Sequence, residues 1–159
     1  MILLVALALQ ATDVRVARVQ SLAGSLVWDN PALHAKGVMV PAAGYRLDIV
    51  ELAVGRDGLD GEVSAFALLA GGNRSFAPVG IGGAPNTMFP LERLAIGHEA
   101  GEILKSNAIF AVKRHSASRV TIEAGPLATV ALLFEVPLAS RATSLRFPDG
   151  TLRELKSEK

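Results

Sequence analysis

Thr129-Val-Ala-Leu-Leu-Phe-Glu-Val-Pro137 is the stretch that decides how the chain folds. Val130, Leu132, Phe134 and Val136 fall on one face of an extended strand. Thr129, Ala131, Leu133 and Glu135 fall on the other, more mixed face. β-Branched and aromatic side chains suit such a pleated, half-buried surface. Gly125-Pro126 stands before the run, and Pro137 ends its ladder because proline has no N–H to donate. The run predicts a core strand of an all-β domain, and the other strand-like segments must supply its partners.

Upstream, Phe110 and Val112 alternate within Ala108–Arg114, as do Val120 and Ile122 within Arg119–Glu123. Downstream, Thr143–Phe147 and Thr151–Leu155 are joined by Pro148-Asp149-Gly150. There proline presets φ and glycine takes the left-handed position of a tight turn. Tyr45–Val54 is apolar on both parities: Tyr45, Leu47 and Ile49 share one, Val50, Leu52 and Val54 the other. A β-bulge at Ile49-Val50 accounts for that flip, and so does a strand covered on both sides. Gly55–Gly61, with two Asp-Gly pairs, reads as a turn or surface loop. Val63–Ala70 and Arg74–Val79 flank Gly71-Gly72-Asn73 and read as a hairpin.

Nearer the N-terminus, Val14–Val19 predicts a first strand. Leu26–Trp28 predicts a short second one, closed by Asp29-Asn30-Pro31. Val38-Met39-Val40 is the one strand candidate between Ala32 and Gly44. The least regular region is Gly80–Ser106, longer than the ~12–15 residues usual for a structureless loop. A helical turn near Leu91–Leu94 is expected within it.

The 159 residues suffice for one domain with a real core. Hydrophobic residues at 50% argue against disorder. A net charge of +1 with both signs scattered gives no electrostatic footprint for nucleic acid. The absence of cysteine excludes disulfides and thiolate metal sites, and suits an envelope protein that relies on its core. Met1–Ala11 is an uncharged apolar run, shorter than the ~20 residues of a bilayer span. Its length matches the apolar region of a secretory signal, and Ala6-Leu7-Ala8 is a small-x-small cleavage pattern. Residues 1–11 are therefore read as a truncated signal peptide, with a buried first strand as the alternative. Residues 12–159 are read as a single domain.

Many short strands with turn signals between them predict an antiparallel β-sandwich with one long irregular loop. Val120–Phe147 resembles the closing strands of bacterial secreted and envelope domains with an immunoglobulin-like sandwich, a group that includes a small mycobacterial secreted immunoprotective antigen. The shared features are a Gly-Pro step, here Gly125-Pro126, and a strand ending Phe-x-Val-Pro, here Phe134-Glu135-Val136-Pro137. Tyr45–Val54 corresponds to their central strand, although Gly55-Arg56-Asp57 replaces the Asn that usually follows it. The resemblance spans residues 12–155 loosely and supplies no catalytic residues. It implies an immunoglobulin-like fold and a secreted, periplasmic or cell-envelope location.

No motif points to catalysis. Gly80-Ile81-Gly82-Gly83 lacks the third glycine of a dinucleotide loop, having Pro85, and no helix pattern follows. It reads instead as a flexible loop whose backbone passes close to a neighbour. In His98-Glu99-Ala100-Gly101-Glu102, the second histidine of a zinc helix is missing and Gly97 and Gly101 disfavour the helix itself. Neither a metal nor a cofactor is expected. His34 has no nearby carboxylate in sequence, and His115 follows Lys113-Arg114, a basic cluster placed to pair with Glu123 or Glu135 across a sheet. Trp28, the single tryptophan, reads as core or rim, with a partner anchor as the alternative.

The expected function is a non-enzymatic binding or interaction module of the bacterial envelope, recognising a protein or small ligand. Its binding loop is placed at residues 80–102, with Asn86, Arg93, His98, Glu99 and Glu102 as contact residues, because long loops on a rigid scaffold carry function. The alternatives are a small enzyme or metal-binding protein built on that loop, and a structural subunit pairing through an edge strand.

Overall fold

The Thr129–Pro137 run is a strand in the computed structural model, which describes residues 13–30, 35–84, 87–93 and 110–156. In chain order the strands are β1 (Val14–Leu22), β2 (Leu26–Asn30), β3 (Ala35–Met39), β4 (Tyr45–Val54), β5 (Leu59–Glu62), β6 (Ala67–Ala70) and β7 (Arg74–Phe76). They continue with β8 (Gly80–Gly82), β9 (Phe89–Pro90), β10 (Phe110–Arg114), β11 (Val120–Ala124), β12 (Thr129–Pro137), β13 (Ala142–Arg146) and β14 (Leu152–Glu154). Two 3-10 turns, Val63–Ala65 and Leu91–Arg93, are described along their whole length. None of the described helices is long and apolar enough to cross a membrane.

The protein is all-β, with several antiparallel sheets. A five-stranded sheet runs β1-β4-β12-β8-β9, a four-stranded one β14-β13-β6-β7 and a three-stranded one β10-β11-β5, while β2 and β3 form a separate hairpin. The central position of β12 follows from its sequence. Both parities of its middle are apolar, and Val130 through Phe134 are all buried. A strand of that kind suits a sheet with cover on both faces.

Register defines those two faces. Leu132, Phe134 and Val136 of β12 stand opposite Val50, Asp48 and Arg46 of β4, and Val50 and Asp48 stand opposite Val19 and Ser21 of β1. On the reverse face lie Ala131, Leu133 and Glu135, opposite Glu51, Ile49 and Leu47. β13 and β14 lie across the first face, where their side chains share a groove with Val19, Ser21, Arg46 and Asp48. The β2–β3 hairpin lies over the reverse face, sharing a groove with Leu47 and Glu135. Buried apolar side chains from all the sheets join one cluster. Within it Phe66 and Phe147 meet edge to face at 5.6 Å between centroids, the arrangement that ring quadrupoles prefer.

Several sequence expectations are corrected. β4 carries no bulge: its register with β12 is unbroken, and it is covered on both sides. The irregularity sits on β1, where one extra residue, Ala17, separates Val16 and Arg18. The turn at residues 55–61 is shorter than expected, because Leu59–Glu62 forms β5 against β11. Leu59 is buried, and Gly61 admits Pro148, whose Cγ would be 3.3 Å from a Cβ there. Gly80–Gly82 is a buried strand rather than a flexible loop. Its backbone does pass close to neighbours, since a Cβ on Gly82 would lie 2.6 Å from the Thr87 carbonyl oxygen. With β8, β9 and the Leu91–Arg93 turn inside it, the stretch expected as one long irregular loop is structured through residue 93, apart from residues 85–86, which are not described.

Candidate functional site

The β2–β3 hairpin builds the candidate site. Leu26 and Trp28 turn inward and are buried, whereas Val27 between them is 67% exposed. Period-two alternation alone requires this split. Opposite Trp28 in register stands Gly37, and opposite Val27 stands Val38, itself 57% exposed. The indole lies over Gly37 and meets the Phe89 ring edge to face at 5.1 Å. Trp28 is thereby held by a missing side chain on one strand and by an aromatic ring from β9.

Beside this indole runs a groove of about 500 Å³. Trp28, Met39, Leu47 and Val79 supply apolar surface, Pro90 and Leu91 add more, and Glu92, Arg93 and Glu135 supply charge. Its geometry is fixed by the backbone. The Val79 N–H donates to the Leu133 carbonyl at 2.7 Å, and the Leu91 N–H donates to the Val79 carbonyl at 3.0 Å. On the far side Glu135 Oε1 accepts from the Ala42 N–H at 2.6 Å, tying down the chain that leaves β3.

β3 meets the groove in a particular way. Gly37, Val38, Met39 and Val40 all line it, although consecutive residues of a strand point to opposite faces. The strand therefore presents its edge as well as a face. Among the described residues β3 pairs only with β2, so this edge has no strand beside it. Val40, at its end, is 75% exposed. A groove of this size that sets apolar side chains beside polar ones can take a ligand that carries both.

Of the contact residues expected from sequence, Arg93 lines this groove. Asn86, His98, Glu99 and Glu102 lie outside the described residues, as do His34 and the stretch Met1–Ala11. Of the hairpin, only Trp28 carries a binding expectation, as the alternative to core or rim. The signal for it was modest: a lone tryptophan alternating with Leu26, and a glycine in the facing strand.

A polar network occupies the opposite face of the sheet. Asp48 is 1% exposed, and its carboxylate is clamped by Arg46, with Nε to Oδ1 at 2.8 Å and Nη2 to Oδ2 at 3.1 Å. Ser21 Oγ donates to Oδ1 at 2.7 Å. Arg46 Nη1 also donates to the carbonyls of Pro137 and Leu138, at 3.3 and 3.1 Å. A buried charge survives only when paired and hydrogen-bonded, and this one is. The network neutralises its own charge and closes the end of β12.

Other polar side chains pair within the sheets and turns. Lys113 pairs with Glu123 at 3.5 Å, as its sequence position suggests, whereas Glu135 serves Ala42. His115 Nε2 shares a hydrogen bond with Thr121 Oγ1 at 2.8 Å. Asp149 belongs to its turn. The Thr151 hydroxyl holds its carboxyl below the ordinary value of 3.8 against the opposing effect of burial, and the Thr151 N–H and Arg153 add to the lowering. Among the described residues no three His, Asp or Glu side chains gather as metal ligands do.

No family model, curated protein or solved structure matches the chain.

Proposed function

We propose that the protein is an exported, non-enzymatic binding module of the bacterial envelope, built as an immunoglobulin-like β-sandwich. Its target is an extended segment of a partner protein that lies along β3 and places an apolar side chain beside Trp28. The observation that carries this reading is the edge of β3, unpaired among the described residues, which lines a groove of mixed apolar and polar surface. Strand addition needs both features: backbone groups at an open edge give affinity, and a pocket for alternate side chains gives specificity.

Three of the other edges support the choice. β1 has exposed Arg15 and Arg18 and a bulge, β10 has Lys113 and Arg114, and β14 has Arg153 and Glu154. Charges and bulges are how edges are kept from pairing. β3 has Lys36, but its groove end has Val38 and Val40. The envelope location rests on Met1–Ala11, and the immunoglobulin-like reading rests on two sheets facing across β12 and on the Phe134-Glu135-Val136-Pro137 ending.

Selection of displayed random peptides against the full chain tests this. The reading expects selected peptides with apolar residues at alternate positions, a changed Trp28 emission on binding, and binding lost in Val40→Lys. Peptides that bind Val40→Lys equally well would overturn it. The same edge admits a second copy of the chain, an alternative favoured by the exposed Val27–Val38 pair on the hairpin's outer face. Sedimentation separates the two. A concentration-dependent dimer abolished by Val40→Lys would favour the second copy, and a monomer the foreign segment.

A further inference from the structure

We propose that a second groove, on the face of the five-stranded sheet opposite Trp28, binds a small anionic sugar, meaning a hydroxyl-rich molecule with one carboxylate or phosphate. This groove encloses about 910 Å³ between β1–β4 and β13–β14. Val19, Ser21, Arg46 and Asp48 form one wall, and residues 141–144 and 152–156, Arg153 excepted, form the other.

Charge supports an anion. Asp48 is matched by Arg46 in a bidentate pair, so the two contribute no net field to the groove. What remains is Arg141 and Lys156 against Glu154. Both cations are exposed, and neither is in an ion pair among the described residues. A guanidinium and an ammonium at one groove suit a carboxylate or phosphate through charge-assisted hydrogen bonds.

The walls add what a bare anion would not use. Ser21 is exposed and lines the groove, and its hydroxyl proton is committed to Asp48 at 2.7 Å, which leaves its oxygen free to accept. The Ser144 hydroxyl has no hydrogen-bond partner among the described residues, and the Thr143 hydroxyl spends its proton on the Leu69 carbonyl at 3.4 Å. Hydroxyls of a sugar would find acceptors at Ser21 and Thr143 and a free donor at Ser144. Val19 and the exposed Leu152 offer apolar surface to its C–H face. Arg46 is held by four hydrogen bonds, so this wall is set before any ligand arrives.

Isothermal titration of the full chain with glucuronate, glucose phosphate, glucose and inorganic phosphate tests the proposal. At least one of the anionic sugars is expected to bind saturably, more weakly as salt rises. Glucose and inorganic phosphate are expected to bind more weakly than it does. Comparing glucuronate with glucose phosphate identifies the anionic group. Replacing Arg141→Ser and Lys156→Ser together should weaken binding about tenfold or more, and Ser21→Ala by a smaller factor. Arg141 and Lys156 lie on the exposed surface, whereas Ser21→Ala also takes a hydrogen bond from the buried Asp48, so an unchanged unfolding midpoint is required of each variant. Absence of saturable binding by either anionic sugar would overturn the proposal, as would unaltered affinity in the double variant. Inorganic phosphate binding as tightly as glucose phosphate would overturn the sugar assignment.

Discussion

Trp28 and Gly37 face each other across the β2–β3 hairpin so closely that a Cβ at position 37 would lie 2.7 Å from the indole Cζ2. Real Cβ atoms do not approach a ring so nearly. The indole must therefore move if residue 37 gains a side chain. Gly37→Ala is expected to cost about 1–3 kcal/mol, the usual penalty of overpacking. Because Trp28 is the single tryptophan, its emission reports the displacement directly. Gly24→Ala is the control, since nothing lies within 4 Å of a Cβ there. It should leave emission unchanged.

Phe134 is fully buried on the face of β12 that meets Asp48 and Val50 of β4. Phe134→Ala should leave a cavity and cost about 3–5 kcal/mol. That is a large share of the ~5–15 kcal/mol by which domains are stable. Denaturant unfolding should show a sharply lowered midpoint, and an unchanged midpoint would contradict the central placement of β12.

The Arg46–Asp48 pair predicts a non-additive response. Asp48→Ala alone strands a guanidinium that is 16% exposed, and should destabilise by about 3–5 kcal/mol. The double replacement Arg46→Met with Asp48→Leu removes both charges at similar volume. It should recover most of that loss. Equal destabilisation in the single and double variants would show that the pair is not coupled as its geometry indicates.

Asp149 predicts a small acid-side effect. Its carboxyl titrates lower in the folded chain than in the unfolded one, chiefly through the Thr151 hydroxyl. The carboxylate is thus favoured by folding. Its contribution is present above the ordinary carboxyl value of 3.8 and fades as pH falls through the lower folded value. Asp149→Asn should lower stability at neutral pH and flatten the loss below about pH 4. Unfolding curves from neutral to acid pH would show it, and identical slopes in both proteins would contradict it.

Strands that carry their own signal were legible in the sequence. β4 and β12 begin and end where alternation and proline place them, and the Pro148-Asp149-Gly150 turn and the Gly71-Gly72-Asn73 hairpin follow from turn chemistry. What the chain alone did not reveal depends on partners distant in sequence. Gly80–Gly82 has only Ile81 to announce a strand, and becomes one because Leu132 and its neighbours supply the ladder. Asp60 and Gly61 read as turn residues until β11 pairs with them. Asp48 interrupts an apolar run, and only its meeting with Ser21, 27 positions earlier, makes it a network. The groove beside Trp28 was hidden for the same reason, since its walls come from β3, β4, β9 and β12. Of the residues the sequence favoured for binding, Arg93 alone is among those the structure describes there.

The groove's capacity to bind is tested most directly by energy transfer from Trp28 to anilinonaphthalene sulfonate, a dye that lights up on open apolar surface. The account predicts that the native, fully folded chain binds the dye at one saturable site within transfer distance of Trp28. It also predicts that Val38→Ser with Val40→Ser, which strips apolar surface from β3 without adding charge, weakens binding while the unfolding midpoint stays nearly fixed. A native chain that binds no dye, or a double variant that binds it as well as the native chain does, would contradict the claim that β3 and Trp28 form a binding groove.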